Sequence, residues 1–178
     1  TSFGDKIRVI TNYTDTTLYK PRKNEPSSII RLGVFARFAE QKNYRRFAEA
    51  INIVKSHINT LFEVHWYGKM KSFGIENQGY IEFKSLIDRY GLNDTIHLHD
   101  HVVDVANEMV KYDAIILMSL REGFSNVISE AICCGLPVLA SDVSDNSVMV
   151  EHGHNGFLTN PLNIDQMAET IEKFLLLS

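Results

Sequence analysis

The 178-residue chain is 44% hydrophobic and 22% charged, an ordinary globular mixture long enough to bury a core without disulfides or a structural metal. Its 22 acidic and 18 basic side chains leave a formal charge of −4, which argues against a general nucleic-acid binder. No apolar run approaches the ~20 residues of a membrane helix, no secretory-type leader opens the sequence, and the adjacent pair Cys133-Cys134 gives no disulfide framework, so a cytoplasmic protein is expected.

Residues 1–27 are polar, with a short apolar alternation at Ile7 and Val9, and end in a charged segment holding Pro21 and Pro26. They read as a connector, and the compact domain is expected at 28–178. Ile29 to Phe35 is a mostly apolar run with the look of a strand, and Tyr44, Phe47, Ile51 and Val54 then recur at helical spacing. Leu61 to Tyr67 is β-branched and aromatic and stops at Gly68. Phe83, Ile87 and Tyr90 mark a second helix closed by Gly91, and Thr95 to Leu98 a short strand. Asp104 is placed to cap a helix running to about Tyr112. Ala114 to Met118 is continuously apolar, as a strand buried on both faces would be. A helix from about Asn126 ends at Gly135, followed by strands at Pro137 to Ala140 and Gly156 to Thr159. Met167, Ile171 and Phe174 share one face of a last helix.

Strands alternating with helices through short connections predict an α/β fold, with a parallel sheet of about six strands and helices on both faces. Ligands of such sheets bind outside the carboxyl ends of the strands. The informative loops therefore begin near Ala36, Gly68, His99, Ser119 and Ser141.

The first of these places Arg37 and Lys42 five residues apart between a strand end and a helix start. Two cations at such a crevice suit a diphosphate, Arg by forking onto its oxygens and Lys as a point charge. The loop after the buried strand reads Ser119-Leu120-Arg121-Glu122-Gly123-Phe124-Ser125-Asn126. Gly123 is expected to allow a tight turn and close ligand approach. The amides from Phe124 onward lie near a helix N-terminus, which favours an anion. Glu122 and Glu130 are about 10 Å apart along that helix, too far to share a proton but suited to gripping separate hydroxyl clusters of one long ligand.

His97-Leu98-His99-Asp100-His101 puts imidazoles at alternate positions, yet it is one residue short of the His-x-His-x-Asp-His hydrolase pattern. Glu151-His152-Gly153-His154 has no further support either. The expectation is no catalytic metal, with His97 ending a strand and His99 and His101 in a binding loop. A G-x-G-x-x-G after a strand, a Walker A loop, a G-x-S-x-G elbow and an H-E-x-x-H helix are all absent, so dehydrogenase, P-loop, serine hydrolase and zincin readings lack support.

Taken together, the segment Glu122-Gly123-Phe124-Ser125-Asn126-Val127-Ile128-Ser129-Glu130-Ala131-Ile132-Cys133-Cys134-Gly135-Leu136-Pro137-Val138 resembles the E-x7-E signature of the retaining GT-B glycosyltransferases of family 4, the group 1 glycosyltransferases. Gly33-Val34-Phe35-Ala36-Arg37 through Lys42-Asn43 resembles the family's G-R…K-G segment, and Glu151 to Leu158 its late G-x-x-G turn. Val9-Ile10-Thr11-Asn12 through Asp15, then Tyr19-Lys20-Pro21, is similar to the connector preceding its donor domain.

This resemblance implies a Rossmann-like three-layer domain, the C-terminal half of a GT-B fold. It implies a UDP- or GDP-linked sugar as substrate, no cofactor and no metal. Arg37 and Lys42 would neutralise the departing diphosphate, Glu122 would bind sugar hydroxyls and Glu130 the ribose, with Gly123, Phe124, Ser125 and Asn126 holding phosphate or sugar. Val102 and Asp104 fall at the nucleobase. The chain departs from the family pattern at Ala36 and Asn43, where Gly is frequent, and at Ser144-Asp145-Asn146-Ser147-Val148, which replaces a Gly-Gly-x-x-Glu turn. The N-terminal acceptor-binding domain is expected to be missing, leaving a donor half that binds nucleotide weakly and transfers little sugar. Peripheral contact with the inner face of the cytoplasmic membrane belongs to the full-length enzyme. A GT-B epimerase and a non-catalytic nucleotide-binding module are the alternatives.

Overall fold

A computed structural model describes residues 12–21 and 27–177. The elements run β1 (Ile30–Phe35), α1 (Tyr44–His57), β2 (Phe62–Tyr67), a hairpin of β3 (Lys71–Ser72) and β4 (Ile75–Glu76), α2 (Gln78–Tyr90), β5 (Ile96–His99), α3 (Val105–Met109), β6 (Ala114–Leu117), α4 (Asn126–Cys133), β7 (Val138–Ser141), α5 (Asn146–Met149), β8 (Gly156–Thr159) and α6 (Ile164–Leu177). Six strands form one parallel sheet in the order β5-β2-β1-β6-β7-β8. The expected α/β architecture is the one observed.

Alternation along the strands divides the core. Leu32, Val34, Val64 and Trp66 point to the face covered by α1, α2 and α6, where Phe47, Ile51, Phe83 and Ile171 are buried. Phe35, Ile115, Leu117 and Val138 point to the other face, against Met109 of α3 and Ile128 and Ala131 of α4. Each fully buried side chain of this size contributes roughly 1.5–3 kcal/mol through its removal from water. All four residues of β6 are buried, as its unbroken apolar sequence predicts.

Strand order fixes where a ligand can sit. The chain leaves β1 for β2 on one side, whereas β6 lies on β1's other side and leads on to β7. The loops after β1 and β6 therefore diverge from neighbouring strands, opening a crevice at the carboxyl edge of the sheet.

Several details differ from expectation. The helix capped by Asp104 ends at Met109, short of the expected Tyr112, because the chain tightens into turns through Lys111 and Tyr112. Asp113 then ties it to β1, its carboxylate accepting from the Arg31 amide at 2.7 Å. The β3–β4 hairpin and the single 3-10 turn at Glu40–Lys42 are too short for a periodic signal. Residues 1–11 and 22–26 of the expected connector, including the Val9-Ile10-Thr11 match, lie outside the described residues. Residues 12–21 run along α4: Asn12 donates to Asn126 Oδ1 at 2.9 Å, and Thr14 to Ser129 Oγ at 2.8 Å.

Candidate active site at the carboxyl edge of the sheet

The loops after β1 and β6 are joined by three bonds. The Leu120 amide donates to the Gln41 carbonyl at 2.8 Å, Gln41 Nε2 to the Arg121 carbonyl at 2.8 Å, and Lys42 Nζ to Glu122 Oε1 at 2.6 Å. The Lys42 and Glu122 side chains are only 14% and 10% exposed. Two candidates from separate loops thus meet directly as an ion pair.

Asn43 sets the direction of the first loop. It adopts the left-handed conformation (φ 59°) between the 3-10 turn and α1, its side chain buried and donating to the Pro161 carbonyl at 2.8 Å. Asn tolerates this conformation better than other side chains do, so it replaces a glycine at modest cost. Ser144 does the same in the loop after β7 (φ 50°), and its hydroxyl donates to the Glu122 carbonyl at 2.6 Å. The segment that departs from the family turn is thereby attached to the backbone of Glu122.

The β1 loop and α4 also border a cleft of about 380 Å³, lined by Arg37, Tyr67, Lys69, Val102, Val127 and Glu130 among others. Arg37 is exposed at its mouth. Its wall is aromatic: the Tyr67 ring stacks on Phe35 (centroids 5.0 Å, planes 8° apart) and on His99 (4.6 Å, 17°). Two clefts of about 600 Å³ lie along α6, one against β8 and the other against α1, but they gather none of the candidate residues. The hollow is mostly apolar, with a cationic lip and one carboxylate, the general make-up of a small-molecule site.

Helix α4 points its N-terminus at this crevice. Ser125 is its buried N-cap residue, yet the Ser125 side chain caps no amide, which leaves the first-turn N–H groups to a ligand. The chain bends at Gly123 and Phe124 without a left-handed residue, and a Cβ at Gly123 would meet nothing within 4 Å. Its value is therefore open space above the loop. Phe124 is half-buried and Asn126 exposed, its side chain bonded to Asn12.

Glu130 is held differently from Glu122. Burial raises its pKa above the ordinary carboxylate value, and a hydrogen bond from the Tyr19 phenol partly offsets this. Burial, reinforced by the Glu130 charge, pushes the Tyr19 hydroxyl up to about 12. Tyr19 was not among the sequence candidates. Its contact spans more than a hundred residues, and no local pattern signals it.

Of the two nucleobase candidates, Val102 lines the cleft. Asp104 does not: its carboxylate accepts from the Asn107 amide at 3.1 Å and side chain at 2.7 Å, capping α3, and these bonds lower its pKa. Cys134 is buried and its thiol pKa raised by that burial, in keeping with a small apolar role. His152 accepts the Leu158 amide at 3.1 Å and belongs to a turn.

The architecture recurs in solved glycosyltransferase structures. It superposes on Anabaena HepE, solved with UDP and glucose, with a TM-score of 0.79 and 28% identity, over 95% of this chain and 47% of that one. A glycosyltransferase from Rickettsia africae gives a TM-score of 0.84 at 19% identity, over 97% of this chain and 47% of that one. These matches define the class as a GT-B-type, Rossmann-like domain.

In sequence, an uncharacterised glycosyltransferase of Methanocaldococcus jannaschii is 25% identical over 186 residues, covering 96% of this chain and 50% of that protein. Residues 29–176 match the family model described as Glycosyl transferases group 1, and the chain belongs to that family. The chain spans about half the length of the M. jannaschii protein, and less of others such as a Streptomyces coelicolor exopolysaccharide phosphotransferase, of which it covers 10%. No helix among the described residues is long and apolar enough to cross a membrane.

Proposed function

We propose that this chain is the C-terminal, donor-binding half of a retaining family 4 glycosyltransferase, which moves a sugar from a UDP- or GDP-linked donor to an acceptor hydroxyl. The observation that carries this reading is the meeting of the β1 and β6 loops at the switch point. There Lys42 pairs with Glu122, and Arg37 of the same β1 loop lines one cleft with Val127 and Glu130 of α4. HepE, solved with UDP-glucose, shares the fold at 28% identity.

In this reading the nucleoside lies in the apolar cleft, with Val102 near the base and Glu130 accepting from ribose hydroxyls. The diphosphate lies between Arg37, Lys42 and the α4 amides. Lys42 leaves Glu122 for the phosphate, which frees that carboxylate for sugar hydroxyls, and Gly123, Phe124, Ser125 and Asn126 border the sugar. The bond between the anomeric carbon and the phosphate oxygen breaks while the acceptor oxygen bonds to the same face of the sugar. The acceptor's proton passes to a phosphate oxygen. Charge develops on the diphosphate as that bond breaks, and preorganised cations and amides stabilise it there. Protein groups carry this countercharge, so the proposal invokes no metal or cofactor. The acceptor is held by an N-terminal domain in the complete enzyme, which works on the cytoplasmic side, in polysaccharide assembly, and touches the membrane peripherally.

Calorimetry with a panel of nucleoside diphosphates tests this. One-to-one binding of UDP or GDP that survives a chelator is expected. A folded chain that binds none of the panel at millimolar concentration would overturn it.

A further inference from the structure

A second group of side chains lies on the sheet near its free edge. β2 and β5 pair in register, His65 opposite His97 and Tyr67 opposite His99, so these four side chains share one face with Glu63. His65 Nε2 is 3.2 Å from Glu63 Oε2, and one ligand atom from each of Glu63, His65 and His97 lies within 4.8 Å of the others. All three residues are half-buried. The other nitrogen of His65, Nδ1, is 3.0 Å from His99 Nε2.

We propose that Glu63, His65 and His97 form a binding site for a first-row divalent transition metal, with zinc as the probe, that fastens edge strand β5 to β2. Two ligands on one tetrahedral zinc with bonds of about 2.0 Å stand about 3.3 Å apart. The Glu63–His65 spacing matches that, and His97 closes the site by a side-chain movement on the order of 1 Å. His65 donating Nδ1–H to His99 leaves its Nε2 lone pair for the metal, the arrangement that orients metal-binding histidines elsewhere. Stacking of His99 on Tyr67 and packing of His65 against Tyr112 (ring centroids 5.5 Å apart) hold the rings in place. An imidazole–carboxylate donor set selects zinc, nickel or copper over magnesium and calcium.

Arg31 opposes the metal. Its Nε lies 3.7 Å from the same Glu63 oxygen and competes for it. The site is distinct from the proposed donor crevice: His65 lies two residues, roughly 7 Å, closer to the amino end of β2 than Tyr67 of the cleft wall. Its role is to stabilise the sheet edge, and it takes no part in sugar transfer.

The test titrates Zn²⁺ into the chelator-treated chain by calorimetry, followed by Co²⁺ substitution and visible absorption. One equivalent of metal, a rise in melting temperature, and the intense bands of four-coordinate cobalt are expected. His65→Ala and His97→Gln should lose binding by at least about 100-fold. His99→Ala should weaken it roughly 10–100-fold as an orienting partner. Arg31→Ala should strengthen it, and His154→Ala should leave it unchanged. Circular dichroism establishes that each variant is folded. Should His65→Ala fail to fold, His97→Gln on the edge strand carries the decision. Absence of binding at high micromolar zinc, or binding indifferent to His97→Gln and Glu63→Gln, overturns the proposal.

Discussion

Lys42 and Glu122, eighty positions apart in sequence, form an ion pair at 2.6 Å across the crevice between β1 and β6. Both are expected to act on the donor, so each restrains the other before a ligand arrives. Glu122→Gln removes a competitor for the ammonium. UDP or GDP binding should therefore tighten several-fold while transfer by the complete enzyme falls, which calorimetry and product assay would show together. Lys42→Met leaves a mostly buried carboxylate unpaired and should cost about 1–3 kcal/mol in denaturant unfolding. The double variant should recover part of that loss.

Gly68 is set by a close approach of backbone to backbone. A Cβ there would stand 2.5 Å from the Ala36 carbonyl oxygen, which also accepts the Trp66 indole N–H at 2.8 Å. Gly68→Ala must push the β1 loop outward and should destabilise the chain by roughly 1–3 kcal/mol. Because that loop carries Arg37, nucleotide affinity should fall as well. Gly123→Ala, whose Cβ meets nothing, should leave the melting temperature unchanged.

Glu130 gives the stability curve a pH dependence with a definite sign. Its pKa in the folded chain is raised by burial, so its contribution to stability is fully present below the unfolded value and is lost as pH rises through the folded one. Glu130→Gln should therefore melt higher than the wild type near neutral pH, and the difference should vanish under strongly acid conditions. Tyr19→Phe removes the hydrogen bond that opposes this shift and should move the transition to higher pH. Paired thermal melts across the acid range would show both.

The fold was readable because its signals are local and repeated. The unbroken apolar run of β6, the helical recurrence of Tyr44, Phe47, Ile51 and Val54, and the left-handed Gly91 all appear where the sequence places them. The loops of the candidate site were readable too, since they follow strand ends. Their partnerships were not. The Lys42–Glu122 pair, Tyr19 on Glu130, and Ser144 on the Glu122 carbonyl each depend on strand order, which local pattern does not encode. The short α3 depends on Asp113 meeting β1. His97 and His99 were visible as a pair, but Glu63 and His65, which complete the cluster, lie more than thirty residues earlier on another strand.

The central claim is that Arg37 and Lys42 receive a diphosphate. It is tested most directly by comparing a nucleoside with its diphosphate on the wild type, Arg37→Met and Lys42→Met by calorimetry. The account predicts that the diphosphate loses at least about tenfold in affinity on each variant, roughly 1.4 kcal/mol, while the nucleoside binds all three chains equally. Equal losses for nucleoside and diphosphate, or none for either, would contradict it.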